Sequence, residues 1–141
     1  MNIAVFLDSN VFIWGYNRPA SNSGKILNLM NEGKITVVVS ERIIEELRTY
    51  FINYYNKDVW SSVFSHISAL VRIVPREEIT EEIRKVADKI KEKDVEHLAT
   101  VRLLRLRYLV SYDADYKHIE EYITPKEFIK VLKLKCTDSE Y

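Results

Sequence analysis

Asp8 comes directly after the apolar run Ile3 to Leu7, and Asp113 comes two residues after Ser111, which ends the short run Tyr108 to Val110. In open α/β sheets ligands bind beyond the carboxyl ends of the strands, so acids at these two points are candidates for chemistry. They are equally placed for ordinary turn-forming or helix-capping work. Two further acids lie on segments of helical period. At ~100° per residue, Glu46 falls at the border of the apolar arc made by Ile43, Leu47 and Tyr50, whereas Glu45 points to the opposite face. Over 94 to 104 the same wheel puts Asp94 between Leu98 and Val101, in the middle of the apolar arc, with Glu96 nearly opposite. Local roles compete here too: Glu46 lies four residues after Arg42, the spacing of a surface ion pair, and Asp94 can cap its own helix.

The chemistry depends on whether the four meet. An isolated carboxylate buried on an apolar face is so costly that it ends protonated, paired or on a metal. If two strand ends and two helix starts converge, repulsion among Asp8, Glu46, Asp94 and Asp113 raises their pKa values unless a cation neutralises them. Hard oxygen ligands select Mg²⁺ or Mn²⁺. Such a site can coordinate a phosphate oxygen, activate a water for in-line attack on phosphorus and stabilise the leaving oxygen, which is phosphodiester hydrolysis.

The elements that must position these acids are legible as apolar runs and periods. Ile3 to Leu7 and Ile35 to Val39, the latter ended by Ser40, read as strands buried on both faces, as in a parallel sheet. Leu70 to Val74, stopped by Pro75, and Tyr108 to Val110 read as two shorter ones. Between them, residues 40 to about 55 set Ile43, Ile44, Leu47, Phe51 and Tyr54 on one arc, and Ile79, Ile83, Val86 and Ile90 step by four, three and four. Thr124-Pro125-Lys126-Glu127 supplies an N-cap, a first-turn proline and a capping-box glutamate for a terminal helix. Residues 17–20 with Ser21 to Gly24 read as a loop. Strands alternating with helices predict a three-layer α/β/α sandwich around a central parallel sheet, in a single domain spanning 1–141.

Composition narrows the setting. With 21 basic against 21 acidic residues, the molecule as a whole does not attract a polyanion, so nucleic-acid binding has to be local. The single cysteine, Cys136, can form no internal disulfide, and neither a signal peptide nor a membrane span is legible at the N-terminus. A cytoplasmic protein is expected.

At the acids themselves the sequence resembles the PIN-domain family, nucleases that include the toxins of VapBC toxin–antitoxin pairs. Leu7-Asp8-Ser9-Asn10-Val11-Phe12 resembles the family's opening strand followed by D-T/S-N-hydrophobic. Glu46 before Leu47, a few residues after Ser40, resembles its second acid; Asp94-Val95-Glu96-His97-Leu98-Ala99 resembles its D-x-x-h/H-L-A; Ser111-Tyr112-Asp113-Ala114-Asp115-Tyr116 resembles its T/S-x-D-x-D-aromatic. Order and spacing agree from residue 3 to about 134, including the closing segment Thr124 to Phe128. The departures are modest: Val95 stands where a subgroup often has Asn, and Ser111 replaces the commoner Thr while keeping the hydroxyl.

The resemblance implies Asp8, Glu46, Asp94 and Asp113 as catalytic metal ligands, Asp115 as an auxiliary acid, and Asn10 and Ser111 as residues that hold the carboxylates by hydrogen bonds. It implies an endoribonuclease dependent on Mg²⁺ or Mn²⁺, acting on RNA, with an antitoxin protein as partner and a homodimer as its assembly. An RNA-processing enzyme without antitoxin and a non-catalytic binding module stay open beside it. A haloacid-dehalogenase-type phosphatase fits poorly, because it needs a second aspartate at position 10, which is Asn.

Other features carry less. Arg102, Arg105 and Arg107, with Lys130, Lys133 and Lys135, offer basic strips for a phosphate backbone or merely solvated faces. Tyr50, Tyr54, Tyr55 and Trp60 read as a dimer interface in preference to a stacking platform for RNA. His66, His97 and His118 share no ligand spacing; His97 lies near the acid end of its helix, where it could touch the site, although a satisfied local hydrogen bond is the expectation preferred for it.

Overall fold

The computed structural model describes residues 2–138. Its centre is β1 (Ile3–Leu7), whose last three residues, Val5, Phe6 and Leu7, are all fully buried. Consecutive burial means both faces are covered, which in a sheet requires helices above and below. On one side β1 pairs in parallel with β2 (Ile35–Ser40), Val5 against Val37, and β2 pairs with β3 (Val71–Val74). On the other side lie β4 (Leu109–Val110) and β5 (Tyr122–Ile123), also parallel, which completes the order β3-β2-β1-β4-β5.

After β1 come α1 (Ser9–Asn17) and α2 (Asn22–Asn31); after β2 come α3 (Glu41–Tyr54) and α4 (Lys57–Leu70); after β3 come α5 (Thr80–Val86) and α6 (Val95–Leu103); α7 (Pro125–Val131) closes the chain. The first two crossovers step away from β1, and the third returns across the sheet to β4. Right-handed crossovers of opposite direction put their helices on opposite faces. Helix contacts follow suit: α1 packs on α2 and α3, α3 on α4, α2 on α7, and α5 on α6. The architecture is the three-layer α/β/α sandwich that the alternation of runs predicts. Among the described residues no helix is long and apolar enough to cross a membrane.

The reversal of direction between β1 and β4 creates a crevice beyond their carboxyl ends. Asp8 and Ser111 flank it, and the ladder runs right up to it: Asp8 N–H donates to Val110 C=O at 3.0 Å and Ser111 N–H to Ile123 C=O at 3.1 Å.

Two expectations are corrected. The segment Ser21 to Gly24 is not loop: Ser21 is the N-cap of α2, its Oγ accepting from Gly24 N–H at 3.0 Å, and Asn22 to Gly24 form the first helical turn. A Ser-Asn-Ser-Gly string reads as a turn from composition, but the same hydroxyls and amides favour helix starts. Gly24 is dictated by contact, since a Cβ there would lie 2.1 Å from Pro19 C=O. The period through Ile79 to Ile90 also overreaches: α5 stops at Val86, and a 3-10 turn over Arg76–Ile79 precedes it. The terminal helix is as expected, with Thr124 and Glu127 forming a reciprocal capping box.

Candidate active site

Each acid is delivered by a different element. Asp8 caps α1, its Oδ1 accepting from Ser9 N–H at 2.8 Å. Its Oδ2 accepts from Ser111 Oγ at 2.7 Å and, more weakly, from Asn10 Nδ2 at 3.4 Å. Ser111 Oγ in turn accepts from Asn10 Nδ2 at 3.2 Å and from Asp113 N–H at 2.9 Å, while Asp113 Oδ1 accepts from Asp115 N–H at 2.9 Å. Asn10 completes the circuit by accepting from Tyr112 N–H at 3.4 Å. One hydroxyl and one amide thus tie the strand end that carries Asp8 to the turn that carries Asp113, across 103 positions of chain.

Glu46 comes from the second turn of α3 and is half-buried. Its Oε2 lies 3.6 Å from Arg42 Nε, the pair its spacing allows, but Oε1 turns inward to His97 Nε2 at 3.3 Å. His97 is fully buried on α6, with its Nδ1 hydrogen-bonded to Ser40 Oγ at 2.9 Å, its ring tilted against Phe6 and its Nε2 4.0 Å from Asp8 Oδ1. The expectation of a local hydrogen bond for His97 is overturned. Its partners come from the start of α3 and the end of β1, because the buried helix face points it across the sheet edge. No spacing in the sequence announces that.

Asp94 is 5% exposed at the start of α6. It sits at the N-cap position without making a side-chain capping bond, so the capping role does not account for it. Tyr116, also fully buried, points its hydroxyl towards Asp94 without completing a well-formed hydrogen bond. Carboxylate oxygens of Asp94, Asp113 and Asp115 lie within 4.8 Å of one another, as do ligand atoms of Asp8, Glu46 and His97. Lys93 Nζ approaches Asp113 at 3.5 Å and Asp115 at 3.9 Å, and Lys91 Nζ approaches Asp115 at 2.9 Å.

The two groups are electrostatically one. Burial raises the Asp8 carboxyl above its ordinary range, against the pull of His97 and the Ser111 hydrogen bond. Burial likewise raises Asp94, opposed by Tyr116, Lys93 and His97 and reinforced by the charge of Asp113. Glu46 goes the other way: burial pushes it up, but the hydrogen bond and charge of His97 hold it low. Burial alone would depress His97, yet Glu46, Asp8 and Asp94 together raise it. Tyr116, desolvated and surrounded by Asp8, Asp94 and Glu46, is pushed far above the ordinary phenol range. Lys91 holds Asp115 low.

The four acids singled out from the sequence fall into two neighbouring triads, Asp8 and Glu46 with His97, and Asp94 and Asp113 with Asp115, and Ser111 links the two by its bonds to Asp8 and to the backbone of Asp113. Together the two triads offer five carboxylates and one imidazole; Glu46 Oε1 faces His97 Nε2, whereas the buried Asp94 Oδ2 has no well-formed hydrogen bond. Oxygens short of donors in a cluster of like charge fit a hard divalent cation. The basic residues Arg102, Arg105 and Arg107 lie at the opposite end of α6, near the amino end of β4, and Arg102 is paired with Glu121 at 2.7 Å.

The model of the PIN domain matches residues 4–115. Among solved structures, a chain of a toxin–antitoxin complex from Klebsiella pneumoniae superposes with a TM-score of 0.67 at 21% identity, covering 86% of this chain and 97% of that one. VapBC2 from Rickettsia felis, bound to a DNA fragment from its promoter, gives 0.61 at 16% identity, covering 86% and 97%. VapC20 of Mycobacterium tuberculosis, a toxin that cleaves the sarcin–ricin loop, gives 0.60 at 15% identity, covering 81% and 93%. No curated protein matches the sequence.

Proposed function

The chain belongs to the PIN-domain family, and from that premise we propose that it is a divalent-metal-dependent endoribonuclease, the toxin of a toxin–antitoxin pair. The observation that supports this reading is that acids from four separate segments form two neighbouring triads, Asp8–Glu46–His97 and Asp94–Asp113–Asp115, with the buried Asp94 Oδ2 lacking a well-formed hydrogen bond.

Asp8, Glu46, Asp94 and Asp113 would hold Mg²⁺ or Mn²⁺, with Asp115 as an auxiliary acid. When bound, the cation would neutralise the cluster and supply Lewis-acid activation of water for attack on phosphorus. The chain's own groups do the rest. Ser111 and Asn10 fix the direction of Asp8 and the turn of Asp113, so the ligands need little reorganisation. His97, with Nε2 3.3 Å from Glu46 and 4.0 Å from Asp8, would hold a proton between these two carboxylates. Lys91 and Lys93, at the rim over Asp113 and Asp115, attract the phosphate backbone towards the acids.

RNA as substrate rests on the family and on the sarcin–ricin-loop cleavage of one structural relative. An antitoxin partner rests on the toxin–antitoxin complexes among those relatives, and a homodimer on the family and on the exposed aromatic side chains of Tyr55 and Phe64. A reducing cytoplasm suits the unpaired Cys136.

Incubation of mixed RNA with the protein and Mg²⁺ or Mn²⁺ tests the reading. Wild type should cut, and Asp8→Asn and Asp94→Asn should fall to background. Cleavage that survives chelation, or wild-type activity in both variants, overturns the mechanism.

A further inference from the structure

From the acid crevice a groove of about 570 Å³ leads along the exposed side of α3. That volume is in the range of small-ligand sites. Arg42, Glu46, Thr49, Tyr50, Asn53 and Tyr54 line it, and their spacing of three and four residues puts them on one face of the helix. Glu46 belongs to the acid cluster as well as to the groove, so the two are continuous. The far wall is aromatic. Tyr50 and Tyr54 lie with ring centroids 4.8 Å apart and an interplanar angle of 32°. Tyr50 is fixed: its hydroxyl accepts from Asn17 Nδ2 at 3.0 Å and its ring meets Phe51 edge-on. Tyr54 is 74% exposed. Leaving so large a ring in water forgoes burial that stabilises elsewhere in the molecule.

Resting on the ribonuclease reading above, we propose that this groove is the track of the single-stranded RNA beside the scissile phosphate, with Tyr54, backed by Tyr50, as the platform on which a base stacks. Glu46 to Tyr54 is two helical turns, ~12 Å, a span of about three nucleotides at the stacked spacing of ~3.4 Å. The chemistry along it suits a nucleotide chain. Arg42, on the groove wall and 3.6 Å from Glu46 through Nε, offers a guanidinium to a phosphate, Thr49 and Asn53 offer hydrogen bonds to sugar and base edges, and an aromatic face accepts any base. Glu45, on the groove's edge, is already neutralised by Arg76 at 2.7 Å. The structure thus divides the aromatic cluster that the sequence suggests as one interface: Tyr50 and Tyr54 line the groove that Glu46 also lines, whereas Trp60 pairs with Phe64 on α4.

Two substrates separate this proposal from the reading it rests on: a dinucleotide, which reaches only the acids, and a hexanucleotide carrying a fluorescent base analogue. Tyr54→Ala should raise KM for the hexanucleotide about tenfold with kcat unchanged, leave dinucleotide cleavage as in wild type, and lose the quenching of the analogue. Tyr54→Phe, which keeps the ring, should restore all three. Equal KM for both substrates in wild type and Tyr54→Ala overturns the track while leaving the nuclease standing. If wild type cuts neither substrate, binding of the hexanucleotide decides: a tenfold weaker Kd for Tyr54→Ala supports the track, and an unchanged Kd overturns it. Unchanged RNA binding with loss of self-association or of antitoxin binding assigns the groove to a protein and overturns the proposal.

Discussion

Ser111 is the smallest group on which the site depends. Its hydroxyl donates to Asp8 and accepts from the backbone of Asp113, so it holds two proposed ligands in register without touching a reacting atom. Outer partners of this kind typically contribute 10–100-fold to metal affinity. Ser111→Ala is therefore expected to weaken Mn²⁺ binding by about that factor in calorimetry, and Ser111→Thr to retain it. A Ser111→Ala protein that binds Mn²⁺ as wild type does would mean that the hydroxyl serves only the turn. Asp8, Glu46, Asp94 and Asp113 are legible in the sequence because each sits at a strand end or against an apolar arc, where a carboxylate has a local cost that can be read. His97 and Tyr116 are not: both look like members of buried faces, and only the folded sheet brings them to acids far away in the chain.

Among the elements, those that carry an apolar run or a clear period are legible, whatever their length: even β3 and β4 are, whereas the 14-residue α4 is not. β1 and β2 are continuous apolar runs, but β5 is two residues, Tyr122–Ile123, too few for any period, and its pairing with β4 is fixed by tertiary contact. α2 is hidden behind its polar first turn. Helix ends carry a further regularity. After α2, α6 and α7 the same backbone bond closes the helix, Lys34 N–H to Leu29 C=O, Leu106 to Val101 and Leu134 to Ile129, each across a left-handed residue. Only the first of these is glycine, Gly33; the others are Arg105 at φ 52° and Lys133 at φ 61°. A side chain in that region costs about 1–2 kcal/mol and the added flexibility of the unfolded chain takes back about 0.4–1, so Arg105→Gly and Lys133→Gly should each stabilise by roughly 0.5–1 kcal/mol in urea unfolding. Destabilisation by either would show that the side chain contributes more than the strained backbone loses.

For the molecule as a whole, the site is a store of repulsion that sets how stability follows pH. Asp8 and Asp94 are raised above their ordinary 3.8 by burial, and His97 above its ordinary 6.5, burial notwithstanding, by Glu46, Asp8 and Asp94. Groups with raised folded values bind protons more readily folded than unfolded, so they add stability at low pH that is lost as pH rises through the folded values. The His97 share is complete below pH 6.5 and is lost progressively as pH rises from there through the raised folded value. Glu46 and Asp115, held low, act in the opposite sense, but only as pH falls below about their ordinary 4.5 and 3.8. Without divalent ions, Tm should therefore be higher at pH 6 than at pH 8. Mg²⁺ at a hundred times its Kd adds about 2.7 kcal/mol, roughly 10 °C in Tm, and binds more tightly at pH 8, where fewer protons compete. A Tm that is flat from pH 6 to pH 8 and indifferent to Mg²⁺ would contradict this.

Everything here turns on one cation shared by acids from four parts of the chain. Anomalous scattering from crystals grown with Mn²⁺ tests it most directly. A peak within bonding distance of Asp8 and at least two of Glu46, Asp94 and Asp113, lost in Asp94→Asn, is the expected result. Ordered carboxylates with no peak at saturating Mn²⁺, Lys93 still on Asp113 and His97 still on Glu46, would contradict it.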